Sequence, residues 1–243
     1  MPTEVNNIIQ GLWIGSELSV MEQLSISSFL ANGHDYHLYV YDHVKYIPRG
    51  TIVMDASEIL PSARIFQYKH VPSYAGFANF FRYKLLLERG GWWADLDTIC
   101  LKPFDFPGEY VFSTEISHRG REVATCCVMK APSGSDVMAY AWQVCQRKNP
   151  ERLVWGETGP RLIAEAVKRF GLDEYKASCR AFCPIDYADW RKVLQPDFEP
   201  SFDERTHAIH LWNEMWRRAD QDKNAQYHPN CLYEKLKRAY APL

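Results

Sequence analysis

Apolar residues recur at helical spacing between residues 76 and 88. The recurring positions include Phe77, Phe80, Phe81 and Leu85. A period of three to four residues predicts one helix that buries its apolar face. Gly90 and Gly91 come next, and glycine ends helices because it takes the left-handed conformation at low steric cost. The pattern therefore predicts that the helix ends at this glycine pair.

The residues after the glycine pair predict a single buried strand over residues 92–101. Its apolar positions are Trp92, Trp93, Leu96, Ile99 and Leu101. Residues two apart on a strand point the same way, so Asp95 and Asp97 are expected to converge while Leu96 is buried behind them. Converging carboxylates raise each other's pKa unless a cation lies between them, and oxygen ligands suit Mg2+ or Mn2+. The alternative is an ordinary strand end with two solvated carboxylates, because Asp-x-Asp is a common pattern.

The rest of the chain alternates between strand and helix patterns. Predicted strands cover residues 5–15, 37–41, 52–55, 109–115, 122–130, 181–187 and 208–212. Predicted helices cover residues 19–31, 56–60 and 137–147, with a further helix over residues 157–168. This alternation predicts an α/β fold in which helices flank a mostly parallel sheet, followed by a more irregular C-terminal part.

Composition restricts the possible partners and the compartment. The chain has 243 residues and a net charge of −2 without a basic stripe, so binding to duplex nucleic acid is not indicated. Seven cysteines without a Cys-x-x-Cys pair favour buried thiols over a zinc site or a disulfide framework. The N-terminus has no targeting pattern, and no apolar run approaches the ~18–20 residues of a membrane span. A cytoplasmic protein is therefore expected.

The segment from Arg82 to Pro103 resembles the DXD sugar-binding segment of retaining GT-A glycosyltransferases. The shared pattern is Arg-Tyr-x-x-Leu-Leu-x-x-Gly-Gly-x-x-x-Asp-x-Asp-x-x-x-Leu-Lys-Pro. These enzymes form glycosyltransferase family 32 and are relatives of the large clostridial glucosylating toxins. The resemblance implies that Asp97 binds Mn2+ or Mg2+, that Asp95 reaches the donor ribose and the metal shell, and that Arg82 contacts the donor. Asn79 stands where the family has an aspartate that holds the donor sugar's hydroxyls.

The segment over residues 5–15 is similar to the family's opening strand, in which a tryptophan stacks on the donor base. The resemblance assigns that role to Trp13, with Ile14 and Gly15 beside the donor and Gln10 where the family has a different residue. Simple core packing is the alternative for Trp13, as it usually is for a tryptophan in an apolar run.

Two later segments also resemble parts of the family. Residues 158–160 resemble the family's Thr-Gly-Pro segment, which lies near the donor sugar and the acceptor. The resemblance assigns Glu157, Thr158 and Gly159 to that pocket, although Thr158 could simply cap the following helix. Residues 210–216 resemble the closing segment that folds over the nucleotide and completes the metal site. The family serine of that segment is Met215 here. His210, Asn213 and Glu214 are candidate metal ligands, of which His210 is preferred, while Asn213 is also assigned to the acceptor pocket and Trp216 to the donor site.

The resemblance implies one GT-A domain over residues 1–243, with a nucleotide-sugar half (1–105) and an acceptor and closing half (106–243). The implied reaction moves a sugar from a nucleotide-sugar donor to an acceptor hydroxyl with retention, with Mn2+ or Mg2+ as cofactor. A UDP-sugar is favoured over a GDP-sugar. The acceptor could be a glycan, a protein, a lipid or a modified nucleobase, in glycan biosynthesis or macromolecule modification.

Two other functions fit parts of the sequence. Residues 94–98 match the Asp-x-Asp-x-Thr pattern of haloacid-dehalogenase-like phosphohydrolases, in which Asp95 would be the nucleophile. The later acidic pair that those enzymes need does not follow Asp97. A non-catalytic nucleotide-sugar binder is the third hypothesis, because Asn79 and Met215 depart from the family pattern.

Overall fold

Strands and helices alternate in the computed structural model, which describes residues 8–117 and 119–240. The strands of this part are β1 (Ile8–Trp13), β2 (Asp35–Val40), β3 (Ile52–Asp55), β4 (Gly91–Ala94), β5 (Thr98–Cys100), β6 (Val111–Ile116), β7 (Glu122–Ala131) and β8 (Ala208–His210). The α-helices are α1 (Val20–Ala31), α2 (Ala75–Arg89), α3 (Asp136–Gln146), α4 (Pro160–Arg169), α5 (Cys179–Phe182), α6 (Asn213–Arg218) and α7 (Leu232–Tyr240). Short 3-10 segments include Ala56–Glu58, where a helix over residues 56–60 was predicted, and Tyr187–Leu194. Residues 5–7 of the predicted first strand lie outside the described residues.

The main sheet has the strand order β3-β2-β1-β4-β7-β6. Strands β1 to β4 run parallel to one another, whereas β7 runs antiparallel to both β4 and β6. Within the main sheet, every strand except β7 therefore points the same way, and the prediction of a mostly parallel sheet is confirmed. Trp92 and Trp93 on β4 are each 1% exposed and belong to separate core clusters, as expected for neighbouring residues on a strand that is covered on both faces.

The predicted single strand over residues 92–101 is wrong. The chain leaves the main sheet after β4, turns through residues 95–97, and enters β5, which pairs with β8 in a separate antiparallel sheet. The Thr98 N–H donates to the Asp95 carbonyl at 3.0 Å and closes the turn. Leu96 fits because Gly11 on β1 has no side chain: a Cβ there would lie 2.7 Å from Leu96 Cδ1.

Helix α2 is the central helix that the apolar spacing predicts. It ends at Gly90, which has a φ of 65° and donates its N–H to the Leu86 carbonyl. A side chain at Gly90 would also collide with the backbone, since its Cβ would lie 2.5 Å from Ser133 N. Glycine is therefore required at this position for both its conformation and its size. The turn that follows brings the chain directly into β4.

The predicted strand over residues 181–187 is also wrong. The chain forms the short helix α5 and then the 3-10 segment Tyr187–Leu194, which Asp186 caps through the Ala188 N–H. Pro184 lies between the two elements and has no N–H to donate to a strand ladder, which accounts for the break. Residues 185–236 contribute most of a third core cluster built around β8, α6 and α7. Among the described residues, no helix has the length and apolar character needed to cross a membrane.

Candidate functional site

The turn between β4 and β5 places the two aspartates of the DXD pattern. The Asp95 N–H donates to the Cys127 carbonyl on β7 at 2.8 Å, and the Leu211 N–H donates to the Asp97 carbonyl at 2.8 Å. Leu96 between them is 8% exposed and anchors the turn to the core. The two carboxylates therefore start from a backbone that neighbouring strands hold on both sides.

Asp95 is bound by Arg82, which reaches it from α2. Arg82 Nη2 lies 3.0 Å from Asp95 Oδ1, and Trp93 Nε1 donates to the same oxygen at 2.8 Å. The guanidinium also donates to the Cys126 carbonyl and lies 4.8 Å from the centroid of the Trp93 ring. Arg82 is only 4% exposed, while 26% of the Asp95 side chain is accessible. The structure thus uses Arg82 to orient Asp95, and the implied contact between Arg82 and the donor stays a prediction.

Asp97 is held from the C-terminal part of the chain. His210 Nε2 lies 3.2 Å from Asp97 Oδ1, and the Asn213 N–H donates to Asp97 Oδ2 at 2.7 Å. Burial favours the neutral imidazole, but the charge of Asp97 prevails and raises the pKa of His210 to about 10. Burial would raise the pKa of Asp97, but His210 and the Asn213 N–H hold it below its usual value. When the imidazole is protonated and the carboxyl group is ionised, His210 and Asp97 form an ion pair.

The residues present fit a divalent metal site. One ligand atom each from Asp95, Asp97 and His210 lies within 4.8 Å of the others, and carboxylates with imidazole suit Mn2+. Glu214 is instead paired with Arg217 and Arg218, each at 2.7 Å, and Asn213 gives Asp97 its backbone N–H. Of the three candidate ligands in the closing segment, His210 is the one whose side chain lies beside Asp97.

An open cleft of about 430 Å³ is lined in part by Asn213, the residue whose backbone N–H binds Asp97. Its lining residues are Asn213, Arg217, Asp220, Gln221, Asp222, Lys223 and Asn224. Lys223 Nζ lies 5.8 Å from the centroid of the Trp13 ring and 2.5 Å from Glu22 Oε1. Sequence reasoning did not identify Arg217 or Lys223. The available signal was the presence of these cations shortly after the closing segment.

The predicted base-binding segment lies at the end of β1. Trp13 is half-buried and packs against the second core cluster, and Ile14 packs against the first. Gly15 adjoins the Trp13 ring: a Cβ at Gly15 would lie 3.1 Å from Trp13 Nε1. Gln10 is different, because it is 4% exposed and its Nε2 donates to the Gly90 carbonyl at 2.8 Å and to the Trp92 carbonyl at 3.2 Å. The Gln10 amide thus ties β1 to β4 within the sheet.

Asn79 lies in a buried polar contact on α2. Its Nδ2 donates to Thr158 Oγ1 at 3.4 Å, and the Cys126 thiol donates to its Oδ1 at 3.7 Å. Gly159 allows this approach, because a Cβ there would lie 3.2 Å from Asn79 Nδ2. Thr158 is fully buried, with its carbonyl accepting from Tyr83 Oη at 2.9 Å. Asn79 is therefore positioned by the protein before any sugar binds.

The expected helix cap at Thr158 is wrong. Helix α4 begins at Pro160, and Gly159 occupies the N-cap position without a side-chain bond. Glu157 accepts from Lys148 Nζ at 2.5 Å and from the Val154 N–H at 3.1 Å. The bond from Lys148 lowers the pKa of Glu157, so this carboxylate is already engaged within its own loop.

Trp216 does not form a cover over the site. Its side chain is fully buried, its ring packs against Trp190 and Tyr233, and its Nε1 donates to the Leu211 carbonyl at 2.8 Å. The assignment of Trp216 to the donor site is corrected: this tryptophan belongs to the third core cluster. The sequence pattern could not distinguish the two roles, since both place an aromatic residue shortly after β8.

An aromatic contact that sequence reasoning missed lies across from α6. Trp155, which is half-buried, packs against Tyr68 with ring centroids 5.0 Å apart. The Arg218 guanidinium lies 5.0 Å from the centroid of the Trp155 ring. This contact joins the loop before α4 to the end of α6, the helix whose first N–H binds Asp97.

Two known protein families match parts of this chain. Residues 19–113 match the family described as "Glycosyltransferase sugar-binding region containing DXD motif". Residues 147–243 match the "Alpha 1,4-glycosyltransferase conserved region". Both halves of the chain match glycosyltransferase families. The first match contains Arg82 and both aspartates, and the second contains His210 and the residues that line the cleft. The glycosyltransferase resemblance expected from the sequence is therefore confirmed.

The fold is similar to that of a solved glycosyltransferase structure. The PaToxG glycosyltransferase aligns with a TM-score of 0.50 and 18% identity over 70% of this chain and 72% of its own. The bifunctional glycosyltransferase WbbM aligns with a TM-score of 0.48 and 12% identity, over 99% of this chain and 50% of its own. The catalytic domain of alpha-toxin from Clostridium novyi has a TM-score of 0.39 and 8% identity, over 98% of this chain and 77% of its own. No curated protein matches the chain. The fold is the GT-A fold of glycosyltransferases, and family and fold together support sugar transfer.

Proposed function

We propose that this protein transfers a sugar from a nucleotide-sugar donor, with a UDP-sugar favoured, to an acceptor hydroxyl with the help of Mn2+ or Mg2+. The observation that carries the proposal is the convergence of Asp95, Asp97 and His210. Asn213, whose backbone N–H binds Asp97, lines a neighbouring cleft that holds both basic and acidic side chains. This convergence joins the two segments that match glycosyltransferase families. Residues 1–105 supply the DXD turn, and residues 106–243 supply the side that closes on it.

Each residue of the site has a distinct role in this proposal. Asp97 and Asp95 would hold the metal ion, with His210 beside Asp97. When bound, the ion would supply positive charge that stabilises the diphosphate leaving group. Arg217 and Lys223 line the cleft where the donor diphosphate is expected to bind, and both are paired with carboxylates, Arg217 with Glu214 and Lys223 with Glu22. A bound diphosphate would contact these cations in addition to their present partners. Arg82 acts through Asp95, whose carboxylate it orients.

Asn79, which lies three residues before Arg82 on α2, is proposed to contact the donor sugar. An amide can donate and accept hydrogen bonds but carries no charge, so Asn79 would select a sugar hydroxyl by geometry alone. The base is expected at Trp13, near Lys223. The acceptor is assigned to the region of residues 157–159 and Asn213, and its chemical class stays open among a glycan, a protein, a lipid and a modified nucleobase.

Retention of the anomeric configuration belongs to the same proposal. The description of the second family specifies α-linked products, which an α-linked donor would give with retention. Glu157 is the carboxylate assigned to the acceptor region, and it is engaged by Lys148 and the Val154 N–H instead of being free to act as a general base. The departing phosphate oxygen would then accept the proton of the acceptor hydroxyl.

The phosphohydrolase alternative is not retained. It needs Asp95 as a free nucleophile, whereas Asp95 Oδ1 is bound by both Arg82 and Trp93. Both matching families are also glycosyltransferase families. A non-catalytic nucleotide-sugar binder shares the proposed donor site, so the decisive test must measure turnover.

Donor hydrolysis provides that test, because it requires no knowledge of the acceptor. Purified protein with Mn2+ is incubated with a panel of UDP- and GDP-sugars, and nucleotide release is measured beside the Asp97→Asn variant. Release from one donor that is lost in the variant supports the transferase, and NMR of the freed sugar reports its configuration. Metal-dependent binding without release, even with a library of acceptor glycans, would indicate a binder. Phosphate release from phosphomonoesters would contradict the proposal.

A further inference from the structure

We propose that Cys127, Cys183 and His210 form a second metal site, which binds a soft, thiophilic divalent ion such as Zn2+. The two thiols are not part of the proposed donor site. Cys127 lies on β7, Cys183 follows α5, and His210 ends β8. An ion at this position would join the main sheet to two elements of the C-terminal part.

The distances between the three side chains suit a tetrahedral ion. The two Sγ atoms are 3.6 Å apart, and one ligand atom from each of the three residues lies within 4.8 Å of the others. A Zn–S bond of about 2.3 Å in tetrahedral geometry places two sulfur ligands roughly 3.8 Å apart. The side chains therefore need to move little to coordinate an ion. Thiolate and imidazole are also the ligands that Zn2+ prefers.

The unused nitrogen of His210 provides a second, independent observation. His210 Nε2 faces Asp97, while Nδ1 is buried and has no hydrogen-bond partner among the described residues. A buried polar atom without a partner is costly, so it calls for an explanation. Because Nε2 faces Asp97, Nδ1 is the His210 nitrogen available to an ion that the two thiols hold. Coordination of that ion would give Nδ1 a partner.

The arrangement beyond the three ligands also fits a metal site. A histidine that binds a metal through one nitrogen usually donates its other N–H to a carboxylate, which fixes the ring orientation. Asp97 Oδ1 lies 3.2 Å from Nε2 in that position. Cys127, Cys183 and His210 are 3%, 5% and 8% exposed, so an ion there would be shielded from water. With Nδ1 on the soft ion, the His210 Nε2–H would donate to Asp97, so the Mn2+ or Mg2+ of the donor site would be held by the two aspartates without the imidazole.

The sequence disfavoured zinc because its seven cysteines include no Cys-x-x-Cys pair. The three ligands are instead brought together from distant segments by β7, the turn after α5 and β8. This site and the DXD site differ in chemistry, since sulfur ligands select soft ions and carboxylates select hard ones. Their failures are therefore separable by experiment.

Cadmium is the probe, because its bond to thiolate produces an ultraviolet charge-transfer band. Fully reduced, metal-free protein is titrated with Cd2+ in the presence of excess Mn2+, which occupies carboxylate sites. We expect the band to saturate at one equivalent. Cys183→Ser should weaken Cd2+ binding at least tenfold. Cys126→Ser is the matched control, because Cys126 is the neighbouring buried thiol but bonds to Asn79 instead, and it should bind Cd2+ as the wild type does.

Further variants separate this site from the donor site. Asp95→Asn should leave Cd2+ binding unchanged even if it removes nucleotide binding, whereas His210→Gln should weaken Cd2+ binding. Thiol titration and a thermal melt for each variant confirm reduced, folded protein. Absence of the band in reduced wild type, or equal Cd2+ affinity in Cys183→Ser and Cys126→Ser, would overturn the proposal.

Discussion

Arg82 and Asp95 form an ion pair that joins α2 to the DXD turn, with Nη2 and Oδ1 3.0 Å apart. The guanidinium is almost completely buried, whereas the carboxylate keeps one side open. Trp93 donates a second bond to the same oxygen. Asp95 is thus oriented by the fold, and 26% of its side chain stays accessible to a metal ion or a ligand.

Replacing Arg82 is expected to destabilise the whole protein. Arg82→Ala leaves Asp95 without its charged partner and the Cys126 carbonyl without its donor, and breaking such a buried pair costs about 3 kcal/mol. Arg89→Ala is the matched control on the same helix, because its partner Glu58 and Arg89 are both 54% exposed. That surface pair is worth less than about 1 kcal/mol. Urea unfolding measures both variants, and equal losses would show that Arg82 does not have this role.

Lys223 is expected to stabilise the fold as well as the cleft. It lies 2.5 Å from Glu22, a carboxylate that is 1% exposed and also accepts the Ser19 N–H at the start of α1. Lys223→Met removes the positive charge and should cost about 2–3 kcal/mol in urea unfolding.

The Glu22→Gln/Lys223→Met double variant is the control for this pair. It removes both charges and should recover part of the lost stability, which a double-mutant cycle measures. Strict additivity of the two single substitutions would mean that the pair contributes nothing to the fold.

The two tryptophans assigned to the donor site from sequence should behave in opposite ways. Trp216→Phe should lower the free energy of unfolding by about 1 kcal/mol, chiefly because the hydrogen bond to the Leu211 carbonyl is lost. Nucleotide affinity should stay within twofold of the wild type. Trp13→Ala should weaken nucleotide binding by about 5- to 150-fold, since loss of a base–aromatic stack costs about 1–3 kcal/mol. Isothermal titration calorimetry with UDP and Mn2+ compares them. If only Trp216→Phe strongly weakened nucleotide binding, the result would show instead that Trp216 covers the donor.

The sequence predicted local features of this protein better than distant contacts. Helix α2 and its glycine end follow from spacing and from glycine's conformational freedom. Asp95 and Asp97 do lie close together, but in a turn and not on the strand from which their convergence was predicted. The turn at Leu96 was missed because an apolar residue between two aspartates fits a strand as well as a turn. Only pairing of β5 with β8 decides between them, and that pairing joins residues far apart in the chain.

Tertiary contacts explain the other differences between the predicted and the observed residue roles. The roles of Gln10 and Trp216 depend on which groups surround them, and no local pattern reports that. Pro184, by contrast, was a local signal against the predicted strand over residues 181–187. The contact of His210 with both Asp97 and the sulfur pair could be found only from the structure.

The measurement that tests the central claim most directly is nucleotide binding in the presence and absence of metal. Thermal unfolding is followed for wild type and Asp97→Asn with UDP, GDP and their sugar conjugates, each with and without Mn2+. Asparagine keeps the shape of Asp97 and can still accept the Asn213 N–H. We expect one nucleotide to stabilise the wild type only when Mn2+ is present, by about 2.7 kcal/mol at a concentration of about one hundred times Kd. The variant should show no such shift. A shift that is independent of Mn2+ and of Asp97, or no shift with any nucleotide, would contradict the assignment of this site.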